Sequence, residues 1–83
     1  MYTYYVLKIE FADGDWGYAN YQPDTGVGGG YFYATKDVND SRIFDTESEA
    51  RSYYYNYIRG KSDRYGRRVV EGYITSISSP RPL

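Results

Sequence analysis

From Thr3 to Phe11 the sequence alternates without interruption, and this constrains the fold more than any other feature. Tyr5, Leu7, Ile9 and Phe11 fall on one side, and Tyr4, Val6, Lys8 and Glu10 on the other. A period of two is that of a β-strand, so the spacing predicts a half-buried strand with its odd positions inward. One apolar face requires neighbouring strands and a covering layer. Ala12-Asp13-Gly14-Asp15 is a hairpin turn sequence, and Trp16 to Tyr21 reads as the return strand, weakened by Gly17. Gln22 to Gly30 holds Pro23, Asp24 and four glycines and reads as a loop. Tyr31 to Thr35 is a third strand, and Asp37 to Asp40 a turn or a single turn of helix. Arg42 to Phe44 forms a short strand or simply packs Phe44 inward. Val69 to Ile77 is a last strand rich in β-branched residues, in which Val70 and Ile74 compete with Val69, Tyr73 and Ile77 for the core.

The covering layer is a single helix at about residues 47–59. Thr46 followed three residues later by Glu49 is a capping-box pattern, and Asp45, Glu47 and Glu49 place negative charge at the positive end of the helix dipole. Ala50, Tyr54, Tyr57 and Ile58 make an apolar stripe flanked by Tyr53. Gly60 fits the position just beyond the end. The order β-β-β-(β)-α-β, with short turns, implies an α+β domain: an antiparallel sheet of four or five strands with one helix on one face. Residues 1–78 read as this single domain and 79–83, with two prolines, as a loose tail.

Composition narrows the chemistry. Eighty-three residues without Cys or His exclude disulfides, Cys/His zinc sites, thiol catalysis and any triad that needs an imidazole. No residue set has an activated nucleophile or an evident acid/base pair, so no enzyme and no cofactor are expected. Thirteen tyrosines exceed what one small core can hide, so several are expected on the surface, as in aromatic-rich binding surfaces. The first residues lack a basic region and a cleavage site, and no stretch approaches about 18 apolar residues, so a cytoplasmic protein without membrane contact is expected.

Charge is uneven. Residues 1–50 hold three basic and nine acidic groups, a net −6, and residues 51–83 hold seven and two, a net +5, which together return the −1 of the chain. On the basic side, Arg51, Tyr55 and Arg59 are spaced by four and form a stripe on the outer helix face, and the loop after it adds Lys61, Arg64, Tyr65, Arg67 and Arg68. Arg interleaved with Tyr suits phosphates, stacked bases or a protein surface. The plainer reading is a solvated helix face. On the acidic side, Asp37, Asp40, Asp45, Glu47 and Glu49, with Asp13, Asp15 and Asp24, imitate a nucleic-acid backbone or serve as turn and cap residues. Gly26 to Gly30 is not a phosphate loop, because it leads into a strand rather than a helix. Asp13-Gly14-Asp15 lacks the remaining spacing of a calcium loop. Trp16 is an interface anchor or the lid of the core.

Segment 33–50 resembles small accessory proteins of phages and mobile elements, in which a strand is followed by Thr-x-Asp-hydrophobic and then Phe-x-Thr-x-x-x-Ala opening a helix. Thr35, Asp37, Val38, Phe44, Thr46 and Ala50 carry the match. The motif is structural and transfers no functional residue. The resemblance implies a non-enzymatic, anti-CRISPR-like inhibitor that occupies a surface of a host nucleic-acid-handling defence protein; the Arg51 stripe and the 61–68 loop, read from charge and spacing alone, are the expected contact. On this reading Arg59→Glu with Arg67→Glu spares the fold and weakens the complex. The alternatives are direct binding of single-stranded nucleic acid or a nucleotide by the same residues, and a Tyr-rich structural or self-assembling protein. A homodimer is compatible with each.

Overall fold

A computed structural model describes residues 1–22 and 31–83, and the glycine-rich loop read from the sequence falls almost wholly outside them. Four strands form one antiparallel sheet: β1 (Tyr2–Phe11), β2 (Trp16–Gln22), β3 (Tyr31–Thr35) and β4 (Val69–Ser79), in the order β3-β2-β1-β4. Helix α1 (Glu47–Tyr53) continues into a widened turn at Tyr54–Ile58 and packs on β1 and β4. The fold is the α+β class expected, with four strands.

The alternation of β1 decides the layering. Leu7, Ile9 and Phe11 are buried with Ala19, Phe32, Phe44, Ala50, Ile58 and Val69 in the core between sheet and helix. Val6, on the opposite face, is also fully buried but stands outside that core, on a surface it shares with Tyr4, Lys8 and Tyr73. The β1–β2 turn forms as read, with Gly14 at φ 90°, where a side chain would be strained. Phe11 N–H donates to the Asp15 carbonyl at 2.8 Å.

Residues 42–44 do not add a fifth strand. On the N-terminal side of Lys8, β1 is no longer paired with β2, and Phe44 takes that place with a single bridge to Tyr5. This anchors the Phe44 ring in the core, next to the Tyr53 ring at 5.4 Å.

The competition in β4 is settled by a bulge. Phe11 pairs with Val69 and Glu10 with Glu71, so Val70 is the extra residue. Val69 and Ile74 therefore both face the helix, although one is odd and the other even, while Val70 is 56% exposed. The strand also runs to Ser79, two residues beyond the expected end. The tail is tied back: Leu83 N–H donates to the Tyr4 hydroxyl at 3.1 Å and Arg81 N–H to Ser79 Oγ at 3.3 Å.

The helix expected at about residues 47–59 runs from Glu47 to Ile58, regular as far as Tyr53 and wider beyond it. Thr46 Oγ1 caps it by accepting Glu49 N–H at 3.1 Å. From Tyr54 the turn widens, and Arg59 N–H reaches the Tyr54 carbonyl five residues back at 2.9 Å. In an α-helix residue 58 would overshoot residue 50 by roughly a fifth of a turn. The wider turn returns Ile58 over the same core as Ala50, and both are fully buried. The cost falls on Tyr57, expected in the apolar stripe but 56% exposed.

Candidate functional site

The outer face of α1 and the unpaired side of β4 enclose an open groove of about 740 Å³. Its helix wall is Glu47, Arg51, Tyr54, Tyr55 and Arg59, and its strand floor runs from Val69 to Ile74, with Arg68 at the end. Four of the eight residues singled out from the sequence, Arg51, Tyr55, Arg59 and Arg68, therefore border one concavity.

Local chemistry sets each of them. Arg51 Nη2 donates to Glu47 Oε1 at 3.0 Å, one turn back, so a carboxylate stands beside its charge in an exposed ion pair. The Arg59 guanidinium lies 5.1 Å from the centre of the Tyr55 ring, and Tyr55 meets Tyr54 edge-on at 5.5 Å. Tyr54 rests on Gly72, where any Cβ would strike its ring. Burial, then the charge of Glu71, raises the Tyr54 hydroxyl above its ordinary value; burial, then Glu10 and Glu71, does the same for Tyr73. These phenols are therefore neutral at pH 7 and act as hydrogen-bonding donors and flat apolar surfaces rather than as bases.

The loop 61–68 is not a uniform basic surface. Asp63, 5% exposed, organises it: Oδ1 accepts N–H from Tyr65 at 3.0 Å and Arg67 at 2.8 Å, and Oδ2 accepts Arg67 Nε at 3.0 Å. Gly66, at φ 81°, closes the turn. Arg67 Nη1 also bonds Asp15 Oδ2 at 2.7 Å, and its guanidinium lies 4.0 Å from the Phe11 ring centre. Partial burial opposes the Arg67 charge, but Asp63 and then Asp15 outweigh it and hold its pKa above the ordinary value. Arg67 thus holds the loop against the first hairpin, which corrects the expectation that Arg67→Glu would spare the fold. Lys61 Nζ donates to the Asn56 carbonyl at 3.2 Å, the Arg64 guanidinium lies 5.3 Å from the Tyr65 ring, and Tyr65, 72% exposed, stands at the tip.

Trp16 does not cap the core. It sits on the helix-free sheet face, with Lys36 Nζ 3.7 Å and Lys8 Nζ 4.6 Å from its ring centre and Tyr18 edge-on at 5.7 Å. Asp15 is a junction rather than a display: it accepts Trp16 N–H at 2.8 Å and pairs with Lys36 at 3.2 Å and with Arg67. The bond from Trp16, then that from Lys36, lowers its pKa. Sequence reasoning missed Asp63 and Arg42. The sequence Asp63-Arg-Tyr-Gly66 signals the first as a turn. Arg42 stacks 4.8 Å over Tyr53 beside a hollow of about 340 Å³ shared with Tyr21 and Tyr57, a meeting made only by tertiary packing.

Among the described residues no group of three or more Asp and Glu side chains is placed to hold a metal ion, and no helix is long and apolar enough to cross a membrane. Compared with known protein families, curated proteins and solved structures, the chain matches none.

Proposed function

We propose that this chain is a non-enzymatic binding protein that acts by stoichiometric occupation of a partner protein, with the groove between α1 and β4 as its contact surface. The observation that carries the reading is the convergence of Arg59, Tyr55, Arg68 and Arg51 on one concavity floored by a strand. Arg and Tyr anchors around a hollow are the composition of protein-binding hot spots, where Arg supplies charge-assisted bonds and Tyr apolar area. The matching partner segment is an extended, acidic one. The resemblance of residues 33–50 to phage accessory proteins directs the search to host proteins that handle nucleic acid, whose inhibition is the biological outcome proposed.

The test is capture from bacterial lysate with and without nuclease, using the wild type and Arg59→Glu/Arg68→Glu. A protein retained after nuclease by the wild type, and weakened at least about tenfold in Kd by the double variant, supports the reading. Equal affinity for both forms removes the groove from it. Capture lost with nuclease and falling steeply with salt moves the assignment to single-stranded nucleic acid, for which the Lys8–Trp16–Lys36 cluster on the flat sheet face is the specific support.

A further inference from the structure

Past the bulge at Val70, the free edge of β4 carries no further device of the kind that keeps sheet edges apart. Residues 72–79, Gly-Tyr-Ile-Thr-Ser-Ile-Ser-Ser, contain no charge and no proline. The direction of their backbone groups follows from β1. Tyr5 exchanges its N–H and C=O with Phe44, at 2.9 and 2.8 Å, on the side of β1 away from β4. These groups alternate sides along an extended strand, so Tyr4, Val6 and Lys8 turn theirs toward Ile77, Thr75 and Tyr73. Gly72, Ile74, Ser76 and Ser78 are left pointing theirs outward, and among the described residues nothing receives them.

We propose that this edge is a homodimer interface, in which β4 pairs antiparallel with β4 of a second copy about a two-fold axis at Thr75. The free run Gly72–Ser78 is closed at one end by Lys61, whose carbonyl takes Val69 N–H at 3.0 Å, and at the other by Pro80, which has no N–H. Its midpoint is Thr75. A two-fold there matches Gly72 with Ser78 and Ile74 with Ser76 of the second copy, so every outward residue of both edges is used.

The side chains are self-complementary in the same register. On the helix-free face Tyr73, 47% exposed, meets the second copy's Ile77, and Thr75 meets itself. Glu71, the nearest charge, faces Ser79, so no like charges are opposed. The groove leaves the helix side of this edge open, so a second strand can enter without displacing α1. The two helices then wall one wider trough, each presenting Tyr55 and Arg59. This dimer does not depend on the binding reading, because it is measured with no partner present.

The test reads mass by sedimentation from micromolar concentrations upward, together with oxidative cross-linking. The wild type is expected to move from 9.7 kDa to about twice that mass as concentration rises. Ser76→Pro removes an outward N–H, which an edge strand tolerates, and is expected to weaken the dimer at least about tenfold while leaving the far-ultraviolet spectrum unchanged. The chain has no cysteine, so Thr75→Cys reports the register. At the two-fold its Cα atoms lie about 4.5 Å apart, within disulfide reach, whereas those of Tyr73→Cys lie roughly 13 Å apart. Rapid cross-linking at position 75 and not at 73 establishes the arrangement. A monomer at all concentrations, or equal cross-linking at both positions, overturns it.

Discussion

Tyr54 and Gly72 are the pair on which the groove is built, and their coupling can be measured. A Cβ at Gly72 would overlap Cε1 of the Tyr54 ring and lie 2.6 Å from Cζ and 2.8 Å from Cδ1. Carbon atoms settle at about 3.5–4.0 Å, so the ring must move by about 1 Å, out of its seat. Overpacking of this kind costs about 1–3 kcal/mol. Against it stands a gain of about 0.4–1 kcal/mol from stiffening the unfolded chain, since Gly72 is not in a left-handed conformation. Gly72→Ala is therefore expected to be destabilising on balance, by up to about 2.6 kcal/mol. In the Tyr54→Ala background the obstruction is gone and only the gain remains, so the same change becomes slightly stabilising. The coupling energy, obtained from urea unfolding of the four proteins with a common m-value, is expected at about 1–3 kcal/mol. Effects that add to within about 0.5 kcal/mol would refute the claim that the ring is seated on the glycine.

Two further outcomes test the loop and the hairpin junction. Asp63→Ala leaves three N–H bonds unmade and the Arg67 guanidinium without its buried partner. Because Arg67 is partly open to water, the loss is set at the lower end for a broken buried pair, about 2–3 kcal/mol by chemical denaturation. A loss below about 0.5 kcal/mol would mean that the loop does not depend on Asp63. Asp15 has a lowered pKa in the folded state, so its contribution is present above the unfolded value of about 3.9 and disappears as pH falls through the folded value. Melting temperature is thus expected to drop more steeply below about pH 4 in the wild type than in Asp15→Asn, and parallel acid profiles would remove the junction role.

What the sequence made legible was whatever one element decides alone. The alternation in β1 placed Leu7, Ile9 and Phe11 inward because a strand's period is fixed by its own backbone. Thr46 identified the helix start because the capping bond spans three residues. The bulge at Val70 needs the partner register of Glu10 and Phe11, and no spacing within β4 discloses it. The wide turn at Tyr54 is a compromise between helix geometry and the need to bury Ile58, so Tyr57 was assigned to the wrong side. Arg67 looked like its neighbours Arg64 and Arg68 in sequence, and only folding against Asp15, 52 residues away, distinguishes it. The helix stripe Arg51, Tyr55 and Arg59 was readable because i, i+4 spacing is local, whereas the strand floor that turns the stripe into a groove was not.

Folding also redistributes the charge in a way that bears on how the groove would bind. The sequence divides into an acidic first part and a basic second part, which suggests two opposed surfaces. Instead Arg67 is spent on Asp63 and Asp15, and Arg51 on Glu47. Glu71 lies in the groove itself. Within that concavity Arg59 and Arg68 are then the cations with no described ion pair, and Arg59 is stacked on Tyr55. Two such cations cannot yield the steep salt dependence of a surface that neutralises many phosphates, where the slope scales with the number of contacts. A partner held here is held by the Tyr54 and Tyr55 rings, with the arginines selecting an acidic complement. The binding expected of this groove is accordingly sensitive to Tyr55→Ala and only weakly sensitive to salt, the combination that distinguishes a protein segment from a nucleic-acid strand.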